Sequence, residues 1–287
     1  MRPSSGPGVA SRLHLAIVGS RAIVGSTAIV ISTAQADPNM YGSQLLADPG
    51  GILVWAALTA FVAGLMRGFA GFGSAMLMAP IFSVLMSPAH MVPIVVSLEF
   101  PMGAMLFLGS RKDVEWSFVA PLSAIAVLAM PLGIWLLVSA DTDFMTKAIS
   151  TIVLAFVGVL ALGWRYRGPR PLPLTLGIGA VSGAMMATSS VGGPPVLLYM
   201  LAAEHPAQKI RANIVGYFFL TTIFLLALVL AASPTATAAV VDAIVLLPVI
   251  LLGSWIGSRL SGKAADQIYR RIAYVFLTGA AVFGLVG

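Results

Sequence analysis

The sequence contains no cysteine and very few charged residues. Lys, Arg, Asp and Glu make up 9% of the 287 residues, whereas 59% are hydrophobic. The absence of cysteine excludes disulfides, thiolate catalysis and metal sites with cysteine ligands. So little charge cannot cover the surface of a water-soluble globule, in which about a quarter of the residues are charged. The composition therefore indicates an integral membrane protein.

Several functional motifs are also missing. The sequence has no Walker loop, no dinucleotide-binding fingerprint and no Ser/His/Asp arrangement, so we predict no cofactor and no ATP coupling within this chain. His90 and His205 have no evident partner ligands, so we predict no metal site and interpret them as helix caps or interfacial residues. The net charge of +6 would suit a nucleic acid, but the basic residues lie mostly in short loops between apolar runs. There they set membrane orientation, and we predict no nucleic-acid partner.

The chain contains an internal repeat. The segment AGLMRGFAGFGSAMLMAPIF, residues 63–82, aligns without a gap with IGAVSGAMMATSSVGGPPVL, residues 178–197, which lies 115 positions later. The alignment pairs Gly64 with Gly179, Gly68 with Gly183, Ser74 with Ser189, and Pro80 with Pro195. Each copy is an apolar segment interrupted by Gly, Ser and Pro, which is typical of the broken helices at the binding sites of repeat-built transporters.

Apolar runs follow the same order twice, five in each half. The first set covers 51–69, 74–86, 90–108, 116–138 and 144–164, and the second covers 172–187, 190–201, 210–231, 239–260 and 268–286. The second run of each set has only 13 or 12 residues, too few to cross a hydrocarbon core of about 30 Å. We therefore predict half-helices or arms of re-entrant hairpins there. The predicted domains are a first membrane repeat at 51–164, a cytoplasmic linker at 165–171 and a second membrane repeat at 172–287.

Loop charge predicts how the halves are oriented. Arg111 and Lys112 follow the third run and three arginines lie within 165–170, so we place both loops in the cytoplasm. The loop after the fourth run carries Asp141 and Asp143 instead, and residues 233–237 carry no charge. The loop after the third run is therefore inside and its counterpart in the second half is outside. The predicted fold is all-α, a polytopic transmembrane bundle of two inverted repeats with broken or re-entrant helices.

Residues 1–50 precede the repeat and read as a signal-like or extra segment with an external linker. A basic start and an apolar centre end in an A-x-A motif at 34–36, as in a cleaved secretory signal. Arg21 interrupts the apolar centre. An uncleaved first helix and an extension upstream of a start at Met40 therefore also stay open. All three alternatives leave the residues after 36 on the external side.

Two segments resemble a known family. RGFAGFGSAMLMAP at 67–80 and SGAMMATSSVGGPPVLLYML at 182–201 resemble the paired signatures of the sulfite exporter TauE/SafE family, also called the TSUP family of membrane permeases. SRKDVEWSFVAPL at 110–122 and IRANIVGYFFLTTIF at 210–224 also resemble its pattern, and the resemblance covers about 51–287. It implies two inverted helical repeats and transport of small sulfur-containing or related organic anions, such as sulfite, sulfonates, sulfoacetate or thiosulfate. Many members carry three or more consecutive glycines where this chain has Gly73-Ser74 and Gly192-Gly193, which leaves the identity of the anion open.

The two breaks supply the predicted anion site. An anion that loses its hydration needs several fixed donors, and the N–H groups at half-helix N-termini supply donors together with a positive dipole end. The predicted substrate-binding residues at the breaks are Gly71, Phe72, Gly73 and Ser74 in the first half, and Ser189, Ser190, Gly192 and Gly193 in the second. The Gly-x-x-x-Gly spacings earlier in each repeat, at 64 and 68 and at 179 and 183, fit close helix packing instead.

Two of the charged residues within apolar runs are candidates for function. Arg67 lies one turn before the first break, and because an arginine at membrane depth costs on the order of 3 kcal/mol, we predict that it is the counter-charge of the anion. The alternative is that Arg67 snorkels to the interface. Glu99, near the middle of its run, has three open interpretations: a carrier of a coupling proton, an ion-pair partner of Arg67, or an exposed helix end.

The broken repeats and the buried charge predict a secondary transporter for a small anion, driven by protons or membrane potential, and the family resemblance implies that the anion is sulfite, a sulfonate or a related organosulfur anion. Its partners are then the sulfur-containing anion and the lipid bilayer, its location is the bacterial plasma (inner) membrane, and its oligomeric state stays open. One alternative is an intramembrane enzyme, which is disfavoured because no nucleophile and base stand together near the breaks. The other is a membrane subunit that passes a sulfur compound to a partner.

Overall fold

The chain folds into α-helices that follow the predicted apolar runs one for one. The computed structural model describes residues 51–70, 72–162, 171–201, 206–232, 236–260 and 266–286. Within these residues every regular element is a helix, as predicted. In chain order they are α1 Ile52–Ala70, α2 Ser74–Leu85, α3 Pro88–Ser110, α4 Trp116–Ser139, α5 Thr142–Ala161, α6 Leu172–Ser189, α7 Gly193–Leu201, α8 Ala207–Ala232, α9 Ala236–Leu260 and α10 Asp266–Val286. The predicted segment 1–50 and residues 165–170 of the predicted linker lie outside the described part.

Seven of the described helices are long and apolar enough to cross a membrane, namely α1, α3, α4, α5, α6, α8 and α9. Helices suit this environment because they satisfy all their backbone hydrogen bonds internally, where lipid offers none. The second helix of each half is short, as its run predicted. α2 has 12 residues and α7 has 9, which gives lengths of only about 18 and 14 Å.

A left-handed residue lies at each break between a long helix and a short one. In the first half, Gly73 has φ 99° directly before α2, a conformation that costs glycine little. In the second half, Ser190 has φ 59° directly after α6, and its N–H donates to the Met186 carbonyl at 2.8 Å. A non-glycine residue held there costs about 1–3 kcal/mol. The backbone direction at both breaks therefore depends on an unusual torsion.

The glycines of the Gly-x-x-x-Gly spacings are packing positions. A Cβ on Gly64 would overlap the carbonyl oxygen of Ile250 in α9, and one on Gly68 would overlap that of Ser254. In the second half, a Cβ on Gly179 or Gly183 would meet the backbone of α4 at Leu122 and Ala126. Since only glycine permits such close backbone approach, the packing interpretation of these four residues is confirmed.

The close contacts join helices of one half to helices of the other. The first helix of each half packs against the fourth helix of the other, α1 on α9 and α6 on α4, and α3 also packs on α8. The starts of α3 and α9 lie together, because Nε2 of His90 is 3.0 Å from Oδ2 of Asp242. α3 and α4 are joined by only five residues, 111–115, so as consecutive spans they cross in opposite directions. These contacts favour opposite orientations for α4 and α9, although the inverted repeat itself stays a prediction.

Inverted repeats should give a specific pattern of exposed loops. We expect single cysteines introduced after Arg111 and Arg167 to face the cytoplasm, and those after Asp141 and Thr235 to face outside, because the basic loops stay inside. The natural chain has no cysteine, so each introduced thiol can be labelled without background. The measurement is labelling by a membrane-impermeant maleimide in intact cells and in lysed cells. One swapped reading would contradict the inverted arrangement.

The close contact between α6 and α4 predicts that the effect of a Gly→Ala substitution on thermal stability depends strongly on its position in α6. Gly183→Ala should lower the thermal midpoint in detergent by several degrees, because its Cβ would meet the backbone at Ala126 and overpacking costs about 1–3 kcal/mol. Gly177→Ala is the matched control, since no atom lies within 4 Å of its Cβ position. That variant should be neutral or slightly more stable, as alanine favours a helix by about 1 kcal/mol over glycine. Equal midpoints for the two variants would contradict this packing.

Candidate functional site

A cavity of about 40 Å³ lies between the two breaks. Residues before and within α2 line one side of it, and residues around the start of α7 line the other. α3 and α8 complete the wall through Glu99, Phe218 and Thr222. The fold therefore brings together two segments that are more than a hundred residues apart in the chain. Six of the predicted residues line this cavity: Arg67, Phe72, Gly73, Glu99, Ser190 and Gly193.

Arg67 and Glu99 form an ion pair beside the cavity. Nη1 of Arg67 contacts Oε2 of Glu99, and their side chains are 9% and 12% exposed. The same Nη1 donates to Oγ of Ser74 at 3.2 Å, and the Ser74 hydroxyl donates to Oε1 of Glu99. α1, α2 and α3 are thus joined at one point. Of the interpretations left open by the sequence, the geometry favours the ion pair over a snorkelling Arg67 or an exposed Glu99.

Two donors at the cavity have no acceptor among the described residues. They are Nε of Arg67 and Oγ of Ser190, and both atoms are buried. A buried polar atom without a partner costs about 1–3 kcal/mol, so such atoms commonly mark a functional position. Both residues line the cavity. Two residues at the cavity therefore carry hydrogen-bond donors that no described residue accepts.

The second break is held by neutral hydrogen bonds. The hydroxyl of Tyr217 donates to Oγ of Ser182 at 2.7 Å, and Ser182 donates to the carbonyl of Gly192. Ser182 occupies the repeat position of Arg67, 115 residues later. The two halves therefore share a backbone plan around the cavity but differ in charge.

Three predicted residues support the breaks without lining the cavity. Ser74 bonds to the ion pair, whereas Ser189 donates to the Met185 carbonyl at 2.7 Å and accepts from the N–H of Val191 at 3.2 Å. Gly192 is packed against α6, where a Cβ would lie 2.6 Å from the carbonyl oxygen of Ser182. The remaining predicted residue, Gly71, lies outside the described residues.

Sequence reasoning missed the contribution of α8 and of Ser182. Phe218 and Thr222 lie within a continuous apolar run that carries no sign of which face meets the cavity. Ser182 did carry a signal, because the alignment of the repeats places it opposite Arg67. Comparing the polar residues at equivalent repeat positions would have identified it.

His90 lies inside the bundle rather than at an interface. Its side chain is 3% exposed and that of Asp242 is 0% exposed, with their Nε2 and Oδ2 atoms 3.0 Å apart. His90 therefore links α3 to α9 instead of acting only as a helix cap. His205 lies outside the described residues. Within the described residues, no group of three His, Cys, Asp or Glu side chains could hold a metal ion.

Comparison with known proteins agrees with this architecture. The model of one family, described as sulfite exporter TauE/SafE, matches residues 56–284. No curated protein and no solved structure matches the chain. The match covers both breaks, the cavity between them and all seven candidate spans from α1 to α9 in most or all of their length. The chain is a multi-pass membrane protein that belongs to the sulfite exporter TauE/SafE family of transporters.

Proposed function

We propose that this chain is a secondary transporter that binds a small anion in the cavity between the two breaks. The anion is sulfite, a sulfonate or a related organosulfur anion, the driving force is protons or membrane potential, and the location is the bacterial plasma membrane. One observation carries the proposal: a buried arginine lies where two interrupted helices meet around a single cavity. A desolvated positive charge with unused donors nearby is what an anion requires.

The start of α2 supplies backbone donors. Its first helical hydrogen bond runs from the N–H of Leu77 to the carbonyl of Gly73, so the N–H groups of Ser74, Ala75 and Met76 precede it. Ala75 and Met76 line the cavity. Three N–H groups and the positive end of the helix dipole therefore favour an oxyanion on this side.

The start of α7 supplies fewer donors. Gly193 begins the helix and lines the cavity, but the next two residues are Pro194 and Pro195, which have no N–H. Proline suits the first turn of a helix, where its missing hydrogen bond costs nothing. The second break therefore contributes more to the shape of the cavity than to the binding of charge. Most of the anion recognition is then due to Arg67 and the start of α2.

The size of the cavity fits a small cargo. Its volume of about 40 Å³ exceeds the ~10–15 Å³ that is needed to hold one water molecule, so it has room for a few atoms. A sulfite ion, with four non-hydrogen atoms, is of this order, whereas a longer sulfonate needs the cavity to widen. The cavity wall therefore favours the smallest sulfur oxyanions.

Transport can be separated from the two alternative functions in one assay. Proteoliposomes that contain only this chain should take up sulfite and release it chemically unchanged. Liposomes without protein are the control for leakage. Chemical conversion of the anion would favour an intramembrane enzyme, and folded protein without any flux would favour a subunit that needs a partner. Either result would overturn the proposal.

The ion pair determines how Arg67 should be tested. A charged arginine within a membrane is often dispensable for the fold, but Arg67→Gln would strand the Glu99 carboxylate, at a cost of about 3–5 kcal/mol. We therefore expect Arg67→Gln to be unstable and the double variant Arg67→Gln, Glu99→Gln to be folded.

The double variant should bind the anion at least tenfold more weakly than wild type, because the positive charge is gone. Arg67→Lys should retain part of the affinity, since a point charge cannot reproduce the guanidinium fork. The measurement is sulfite binding to purified variants with matched thermal midpoints. Wild-type affinity in the double variant would leave the start of α2 as the anion site and exclude a role for Arg67.

A further inference from the structure

We infer that Glu99 competes with the transported anion for Arg67, so that the site takes up one proton for each anion it binds. This inference rests on the proposed function and adds the coupling ion and the residue that carries it. It follows from what the Glu99 carboxylate contacts, from the charge of the cavity and from the place of Glu99 in the fold.

The Glu99 carboxylate occupies donors that an incoming anion would use. One of its oxygens contacts Nη1 of Arg67 and the other accepts from the hydroxyl of Ser74, at the start of α2. A carboxylate and a sulfur oxyanion are the same class of ligand, since both present negative oxygens to an arginine fork. Glu99 therefore acts as a tethered substitute for the anion in the structure described.

The charges at the cavity must balance. Arg67 and Glu99 are the only ionisable residues that line the described cavity, and as an ion pair they sum to zero. An anion that bound beside the ionised Glu99 would bring two negative charges together in a poorly solvated site, where like charges repel strongly. Protonation of Glu99 removes this repulsion and releases Arg67. The loaded site then also sums to zero for a monovalent anion.

On α7, Tyr199 bonds to Thr175, and among the described residues no ionisable side chain of the neighbouring helices other than Arg67 and Glu99 lines the cavity. α2, α4 and α6 carry none, and α1 carries Arg67 alone. On α8, Tyr217 donates to Ser182, Lys209 pairs with Glu115 at 2.9 Å, and Arg211 is exposed.

The remaining ionisable groups near α3 are also distant from the cavity. On α9, Asp242 contacts His90, which precedes Glu99 by nine residues or about two and a half helical turns, and Arg259 is exposed. Asp143 and Lys147 on α5 are exposed. The pH dependence of anion binding should therefore come from Glu99.

The position of Glu99 gives the proton and the anion one route. Glu99 is the twelfth of the 23 residues of α3, so it lies about 16 Å along the helix from either end. Its side chain is 12% exposed and lines the cavity, so in this inference the proton arrives through the same space as the anion. A proton arrives there, the carboxylate becomes a neutral acid, and the anion replaces it on Arg67. On release, the proton leaves and the carboxylate returns to Arg67, which displaces the anion.

The inference is tested by measuring binding and proton uptake together. Methanesulfonate is a suitable probe, because it is monovalent and keeps its charge between mildly acidic and mildly alkaline pH. For wild type, affinity should be constant at low pH and then fall by about tenfold per pH unit as Glu99 ionises. In weakly buffered solution, and in the pH range where affinity falls tenfold per unit, each bound methanesulfonate should take up one proton, and a lack of uptake is diagnostic only in that range. Methanesulfonate flux should follow a pH gradient and be insensitive to membrane potential.

A matched pair of variants assigns the proton to Glu99. Glu99→Gln imitates the protonated acid, so it should bind methanesulfonate at alkaline pH with the acid-limit affinity and take up no proton. Glu115→Gln makes the same chemical change at the half-exposed partner of Lys209, outside the cavity, and should retain the wild-type pH profile. Should Glu99→Gln fail to fold, proton uptake by wild type decides alone. Binding without proton uptake would overturn this inference and leave the anion site in place, whereas no binding at any pH would overturn the proposed function.

Discussion

The ion pair between Arg67 and Glu99 is the interaction on which the first half of the bundle depends. Each charge would be expensive alone in a membrane interior, but together they satisfy one another and tie α1, α2 and α3 through Ser74. The pair stands beside the cavity rather than within a closed core. In the proposed function, an anion of suitable size would compete with Glu99 for Arg67. The same contact thus supports the fold and limits access to the site.

The two halves contribute different groups to the surroundings of the cavity. The first break carries Arg67 and a helix start with free N–H groups, whereas the second carries Ser182 at the equivalent position and begins α7 with two prolines that cannot donate. A second arginine at position 182 would place two like charges beside a cavity of about 40 Å³ with a single carboxylate to balance them. The serine at position 182 avoids this repulsion. At position 182 the neutral Ser182 accepts a hydrogen bond from the Tyr217 hydroxyl instead.

Much of the fold was predictable because lipid leaves the sequence few choices. Apolar runs bounded by Gly, Ser and Pro gave helix bounds within a few residues of those observed, and the glycine spacings identified the contacts of α1 and α6. The partner of each helix was not predictable, because runs that are apolar all round carry little sign of facing. For the same reason, the sequence did not identify Phe218 and Thr222 as cavity residues. It also does not record depth in the membrane, so three interpretations of Glu99 stayed open. The contact with Arg67 excludes the exposed helix end and favours the ion pair. The proton-carrier interpretation is compatible with that pair, because the paired carboxylate can still be protonated.

The remaining contacts of α3 restrict what can move when that pair opens. His90 holds the start of α3 to Asp242 of α9, and α9 is in close backbone contact with α1 through Gly64 and Gly68. Protonation of Glu99 would leave both of these connections intact, so α1, α3 and α9 would keep their mutual positions. Ser74, by contrast, bonds in the described residues only to the two members of the ion pair. The Ser74 hydroxyl is therefore the contact of α2 that depends on the charge of Glu99, whereas its buried side chains, such as Met78 and Phe82, hold the rest of the helix in the core.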